Sequence, residues 1–124
     1  MAGWTDEELT LLDSTDELRL SSARSDGNLS NPTTMWMVRR GGDVFVRSVN
    51  GRSSHWFRGT QTIHSGRIEV GKFARDVEFV EADGGIADEL DESYRRKYHR
   101  YAQSIVDHIT SHDARQAALE LVPR

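Results

Sequence analysis

Arginine and the small polar residues beside it carry most of the chemistry in this sequence. From Val44 to Gly59 the chain reads VFVRSVNGRSSHWFRG. Arg47 and Arg52 bracket Ser48, Asn50 and Gly51, and Ser53 or Ser54 stands where a helix should begin. A helix N-terminus offers N–H groups and partial positive charge, and guanidiniums offer a fork of donors. Together they suit a phosphate or a carboxylate. The plainer assignments are a strand arginine paired with a carboxylate for Arg47 and a solvated loop charge for Arg52. A second anion-holding stretch is ARSDGNLSNP, Ala23 to Pro32, where Arg24 lies among turn residues with outward N–H groups. An ordinary solvated loop is the alternative there.

Other constellations say less. His108-x-x-x-His112 has the spacing that places imidazoles on one helix face, as zinc sites use. Ser111 interrupts that helix in the expected pattern, and no Glu follows the first His. Asp91 and Glu92 belong to the start of a helix, where carboxylates offset the helix dipole. His55 and His64 are available for acid–base work near neutral pH. No G-x-S-x-G, P-loop or G-x-G-x-x-G occurs, and the absence of cysteine removes disulfides, thiolate ligands and a Cys nucleophile.

The elements that must position these groups follow from periodicity and punctuation. Thr5-x-x-Glu8 is a capping box, with Trp4 and Leu9 as a hydrophobic staple, so a helix runs from Asp6 to about Asp13. Asp16 to Ser22 reads as a strand. Thr34 to Val38 and Val44 to Val49 read as a hairpin around Arg40-Gly41-Gly42-Asp43. Both hairpin strands are apolar on both faces, whereas a half-exposed strand alternates. Each face therefore needs a cover: the domain's own core on one side, and a partner subunit or a ligand on the other. Ser53 or Ser54 caps a helix to about Thr62, with Trp56 packing inward. Arg67 to Val70 and Phe73 to Val80 form a second, half-exposed hairpin around Gly71-Lys72. Asp88 caps a long helix to about Thr110, with a stripe of Leu90, Tyr94, Tyr98, Tyr101, Ile105 and Ile109 and a basic run from Arg95 to Arg100. Ser111 caps a last turn, and Ala118 to Val122 closes the fold as a strand with Leu119 and Leu121 inward.

At 124 residues the sequence fits one domain, residues 1–124. A net charge of −4 argues against a dedicated nucleic-acid binder. No apolar run reaches the ~18 residues of a membrane span, and the acidic start lacks a signal-peptide pattern. The expectation is a cytoplasmic protein with a native LVPR ending.

The stretches DELRLSSARSDG, WMVRRGGDVFVRSVNGRSSHWFRG, GRIEVG and ESYRRKYHRYAQSIV closely resemble the bacterial domain-of-unknown-function family 2255. The element order is also similar to split β-barrel proteins that bind flavin mononucleotide or a deazaflavin, nearest the deazaflavin-dependent nitroreductase group. That group holds cofactor phosphate with a Gly-Arg-Lys-Ser-Gly loop after its first barrel strand. Ala23-Arg24-Ser25-Asp26-Gly27 is the matching stretch. Arg24 and Gly27 match, Ser25 replaces the lysine, and Asp26 adds negative charge. Ser48, Asn50, Gly51 and Trp56 match that group's loop before a Trp-containing helix.

The resemblance implies an α+β split β-barrel of about six strands with flanking helices. It implies a homodimer, with FMN or a deazaflavin between the subunits. Burial of about 800 Å² per partner would make an ordinary dimer. The cofactor group would be Arg24, Arg47, Ser48, Asn50, Gly51, Arg52 and Trp56, with Tyr98 and His99 as further candidates for the pocket wall. The alternatives are a cofactor-free protein that binds a small molecule or does non-redox chemistry in the same cleft, and a purely structural or regulatory partner-binding role.

Overall fold

The structure is a computed structural model that describes residues 3–124. Helix α1 (Asp6–Ser14) starts as the capping box requires. The Thr5 hydroxyl accepts from the Glu8 N–H at 3.1 Å, and the Thr5 N–H donates to Glu8 Oε1 at 2.9 Å. Trp4 covers this end and donates its indole N–H to the Leu121 carbonyl at 3.0 Å.

Strands β1 (Glu17–Ser22), β2 (Thr33–Arg40), β3 (Asp43–Arg47), β4 (Ser65–Val70), β5 (Phe73–Glu81) and β6 (Ala118–Pro123) close into an antiparallel barrel, in the order β1-β2-β3-β6-β5-β4. Period-two patterning fills the interior. Leu18, Leu20, Met35, Met37, Val44, Val46, Ile68, Val77, Phe79, Leu119 and Leu121 form one buried cluster with Leu9, Leu12 and Phe57 from the helices. Removing a side chain of this kind from water contributes about 1.5–3 kcal/mol. The LVPR ending is part of the barrel: Pro123 pairs opposite Val77, and the Arg124 N–H donates to the Asp76 carbonyl.

The doubly apolar β2–β3 hairpin is real, and the chain's own helices supply the second cover of Val38 and Phe45. Val38 and Phe45 point outward and pack with Leu90, Tyr94, Tyr98, Val106 and Ile109, which belong to the chain's own C-terminal helices or their junction. Local alternation shows that a strand face is covered; it does not show by what.

Those helices also depart from the sequence expectation. The long helix is two, α3 (Ala87–Lys97) and α4 (Gln103–Ile109), and the N-cap of α3 is Ile86, with Asp88 in the first turn. The break falls where the end of α3 is tied to the barrel. The Tyr98 hydroxyl accepts from the Met37 N–H at 3.0 Å and lies 2.8 Å from the carbonyl oxygens of Met37 and Asp16. The β1–β2 ladder ends with Glu17 opposite Trp36, so Tyr98 supplies partners to backbone groups the ladder leaves open. Lys97 Nζ adds bonds of 2.8 Å each to the Leu12 and Met37 carbonyls. A stripe of apolar residues reads the same through a continuous helix or a broken one.

Helix α2 (His55–Thr62) follows a 3-10 turn over Gly51–Ser53. It lies close against β1. A Cβ on Gly59 would meet the Ser22 hydroxyl at 2.7 Å, so a side chain there would force that hydroxyl or the helix to shift. The last short helix is α5 (His112–Arg115), capped by the Ser111 hydroxyl. His108 and His112 therefore sit on different helices.

Candidate functional site: an apolar cleft joined to an arginine-lined cavity

Outside the barrel, between β2, the end of β3, α2 and α4, lies an apolar cleft of about 420 Å³. Trp36, Val49, Trp56, Ile105 and Ile109 supply its apolar walls, and Ser48, Asn50 and His108 its polar edge. Trp36 is held flat by Tyr98, with ring centroids 3.9 Å apart and planes within 2°. Tyr101 packs on Trp36 from a third direction, at 4.9 Å. Val49 and Ile105 are 37% and 48% exposed, so the cleft carries apolar surface facing water.

Ser54 is the N-cap of α2, but its hydroxyl is 2.7 Å from the Ser48 hydroxyl and makes no bond to the helix. No side chain therefore caps the first-turn N–H groups of α2, and their partial positive charge remains beside the cleft.

Thr33 and Trp56 also border a second cavity, of about 650 Å³. It lies between α2 and the loop from Ala23 to Pro32. His55, Arg58, Gly59 and Thr62 face it from α2, and Arg24, Ser25 and Asp26 from the loop. Arg24 and Arg58 form no ion pair among the described residues, although eight other arginines do. Asp26 is the carboxylate on this cavity, and its Oδ1 accepts the Asn28 N–H within its own turn at 2.9 Å. The chemistry offered is an anion site joined, across an indole, to an apolar slot.

Of the residues singled out from sequence, Arg24, Ser48, Asn50 and Trp56 come together around these two spaces. Arg47 and Arg52 do not converge on a common anion. Arg47 borders the cleft but is 2% exposed, and its guanidinium donates to Asp91 at 2.5 Å, to the Ile109 carbonyl at 3.1 Å and to the Ala87 carbonyl at 2.9 Å. Asp91 also pairs with Arg115, which reaches Asp88 at 2.8 Å. Arg47 lies over the Tyr94 ring at 5.5 Å, and burial pushes the Tyr94 hydroxyl well above the ordinary phenol range. Arg52 holds Glu81 through bonds of 2.8 and 2.9 Å, and that contact keeps the Glu81 carboxyl below its usual range. Gly51, with φ 83°, turns the chain tightly against Asp113, which a Cβ would approach to 3.2 Å. Tyr98 lies beneath Trp36, not on the cleft wall, and His99 is exposed and borders neither space.

Arg58 escaped the sequence reading, and Ile105 and His108, read there as part of a helix stripe and of a metal-type histidine pair, were not placed at the cleft. A signal for Arg58 was present: His55, Arg58, Gly59 and Thr62 recur at helical spacing and mark one face of α2. Nothing local pairs that face with the loop at Ala23–Pro32.

A closed six-stranded antiparallel barrel with this strand order and these flanking helices is a split β-barrel, a fold that flavin-binding proteins use. Three solved structures align over nearly the whole chain. An FAD-binding protein from Mesorhizobium loti is 15% identical, with a TM-score of 0.58 over 99% of this chain and 92% of that one. An F420 reductase is 13% identical, with a TM-score of 0.56 over 93% and 90%. HutZ, the haem storage protein from Vibrio cholerae, is 16% identical, with a TM-score of 0.62 over 99% and 92%. The chain belongs to the family described as an uncharacterized protein conserved in bacteria (DUF2255), matched over residues 8–121. No curated protein matches it. No helix among the described residues is long and apolar enough to cross a membrane.

Proposed function

We propose that this is a single-domain, cytoplasmic oxidoreductase-like protein of nitroreductase type that binds FMN or a deazaflavin in the joined cleft. The observation that carries the reading is the pair of arginines, Arg24 and Arg58, that have no ion pair among the described residues and face a cavity that meets an indole-walled apolar slot at Trp56. Both spaces lie within the roughly 300–1,000 Å³ of ordinary small-molecule sites. The residues present fit the group. Trp36, Trp56 and Ile105 would hold the ring, and Ser48 and Asn50 would offer hydrogen bonds at its edge. Arg24, Arg58 and the first turn of α2 would hold the phosphate.

The bound cofactor would supply hydride chemistry. The chain's own part is to orient the ring, exclude water from its apolar face and compensate the phosphate charge. Arg47 and Arg52 serve this site indirectly, by fixing the β3 end and the turn that carries Ser48, Asn50 and Gly51. Val49 and Ile105, both exposed at the cleft, support a homodimer in which the second subunit closes the slot. The doubly apolar hairpin no longer supports it, since α3 and α4 supply that cover.

A second reading rests on Asp26. A carboxylate beside Arg24 weakens the hold on a phosphate, and Ser25 supplies no countercharge. A cofactor-free protein would bind a smaller anion in the same cavity, with His55 in reach for acid–base chemistry.

Fluorescence quenching with FMN and with a deazaflavin tests the choice. Saturable quenching is expected, and replacing either Arg24 or Arg58 by alanine should weaken it about 10- to 100-fold, the loss of about 1.5–3 kcal/mol expected per charged hydrogen bond. Urea midpoints should stay nearly constant. No saturable quenching by either cofactor would end the first reading.

A further inference from the structure

We propose that Lys97 is an amine acylation site for small acyl phosphates, set in a separate cavity on the α1–α3 side of the barrel. The reading is independent of the cofactor cleft. That cavity has a volume of about 320 Å³ and is bordered by Asp13, Val38, Arg39, Ser93, Arg96 and Lys97.

The argument begins with the two bonds that Lys97 Nζ makes, at 2.8 Å each, to the Leu12 and Met37 carbonyls. A neutral amine has two N–H bonds and one lone pair. With both N–H bonds directed at those oxygens, the lone pair is directed away from them. The cavity is the open space that Lys97 borders. The backbone of α1 and β2 thus holds the amine in place at the border of the cavity. Burial favours the reactive form: it lowers the Lys97 amine to about 8, with Asp13 and Asp16 opposing the shift and Arg100 adding to it.

The cavity also selects the reagent. Arg39 uses Nε for the Gly41 carbonyl at 2.7 Å, and its terminal nitrogens make no bond among the described residues. Among the described residues Arg96 pairs only with Glu92, both side chains being more than two-thirds exposed at 71% and 73%. Such a pair is weak and exchangeable. Two guanidiniums against the one carboxylate of Asp13 favour a doubly charged phosphate over a neutral acyl donor. In the step, the Lys97 nitrogen attacks the acyl carbon and a C–N bond forms. The bond between that carbon and the phosphate oxygen breaks, phosphate leaves with the electron pair, and the nitrogen gives its proton to solvent. The amide keeps one N–H, so one of the two backbone bonds is lost and α1 is held less firmly to α3.

The chain offers an internal control, because it has only two lysines and the other, Lys72, is exposed in the β4–β5 turn. The test incubates the intact protein at pH 7.5 with acetyl phosphate and, separately, with the uncharged reagent N-acetoxysuccinimide. Peptide mass mapping then gives both acetylation rates. Lys97 should react roughly tenfold faster than Lys72 with acetyl phosphate, as a lowered amine pKa raises the unprotonated fraction while burial restricts access. The Lys97 preference should be smaller with the uncharged reagent. Replacing Arg39 and Arg96 by glutamine should slow only the acetyl phosphate reaction at Lys97, with the Lys72 rate as the reagent control and an unchanged urea midpoint reporting that the fold is intact. Equal rates at the two lysines with acetyl phosphate, or the same preference with both reagents, would overturn the proposal.

Discussion

Arginine does different work on the two sides of this barrel. On the α3 side, Arg47 is buried and held by Asp91, Ile109 and Ala87, and Arg115 closes on the same carboxylate. On the α2 side, Arg24 and Arg58 face a cavity with no ion pair of their own among the described residues. The α3 side also has Tyr98 bonded to the open end of the β1–β2 ladder, whereas the hydroxyl of Ser54 on the α2 side leaves its own helix uncapped. One side uses its polar groups to hold helices on the barrel, and the other leaves polar groups facing an open cavity. A guanidinium's role is set by whether a buried carboxylate faces it, not by the residue type.

This contrast can be broken. Replacing Asp91 by alanine leaves Arg47 buried without its countercharge and should cost about 3–5 kcal/mol in urea unfolding. A loss below 1 kcal/mol would mean that the α3 lock is not one. Replacing Tyr98 by phenylalanine keeps the ring on Trp36 but removes the hydroxyl from Met37 and Asp16. It should cost about 1–3 kcal/mol, with the cleft's ligand affinity changed far less than by losing Arg24 and Arg58. The smallest effect belongs to Arg52. Its side chain is 47% exposed against Glu81 at 52%, so Arg52→Ala should change stability by no more than about 1 kcal/mol. A larger loss would move Arg52 into the locked set, through its further bond to the Gln116 carbonyl at 3.0 Å.

Much of the frame was legible because its causes are local. The Thr5–Glu8 box placed α1. Alternation placed Leu119 and Leu121 inward, and Gly41-Gly42 and Gly71-Lys72 placed the hairpin turns. The site was legible only in part. Arg24, Ser48, Asn50 and Trp56 line the two joined spaces, whereas Arg47, placed in the cofactor group, takes the alternative assignment of a strand arginine paired with a carboxylate. Its partner Asp91 is 44 residues away, and a helix-start carboxylate looks the same whether it meets water or an arginine. The continuous helix to Thr110 failed for a related reason. The bonds at Lys97 and Tyr98 that accompany the break reach Leu12, Asp16 and Met37, outside any local window.

By itself the sequence determined which faces are apolar, where segments begin and turn, and that the hairpin of Trp36 and Phe45 is shielded on both sides. Periodicity and capping act within a few residues, so they can be read in one dimension. Tertiary structure alone decided what does the shielding, which arginines meet a carboxylate and which face open space. Those outcomes depend on distances between segments far apart in the chain, and burial and charge pairing act through distance in space.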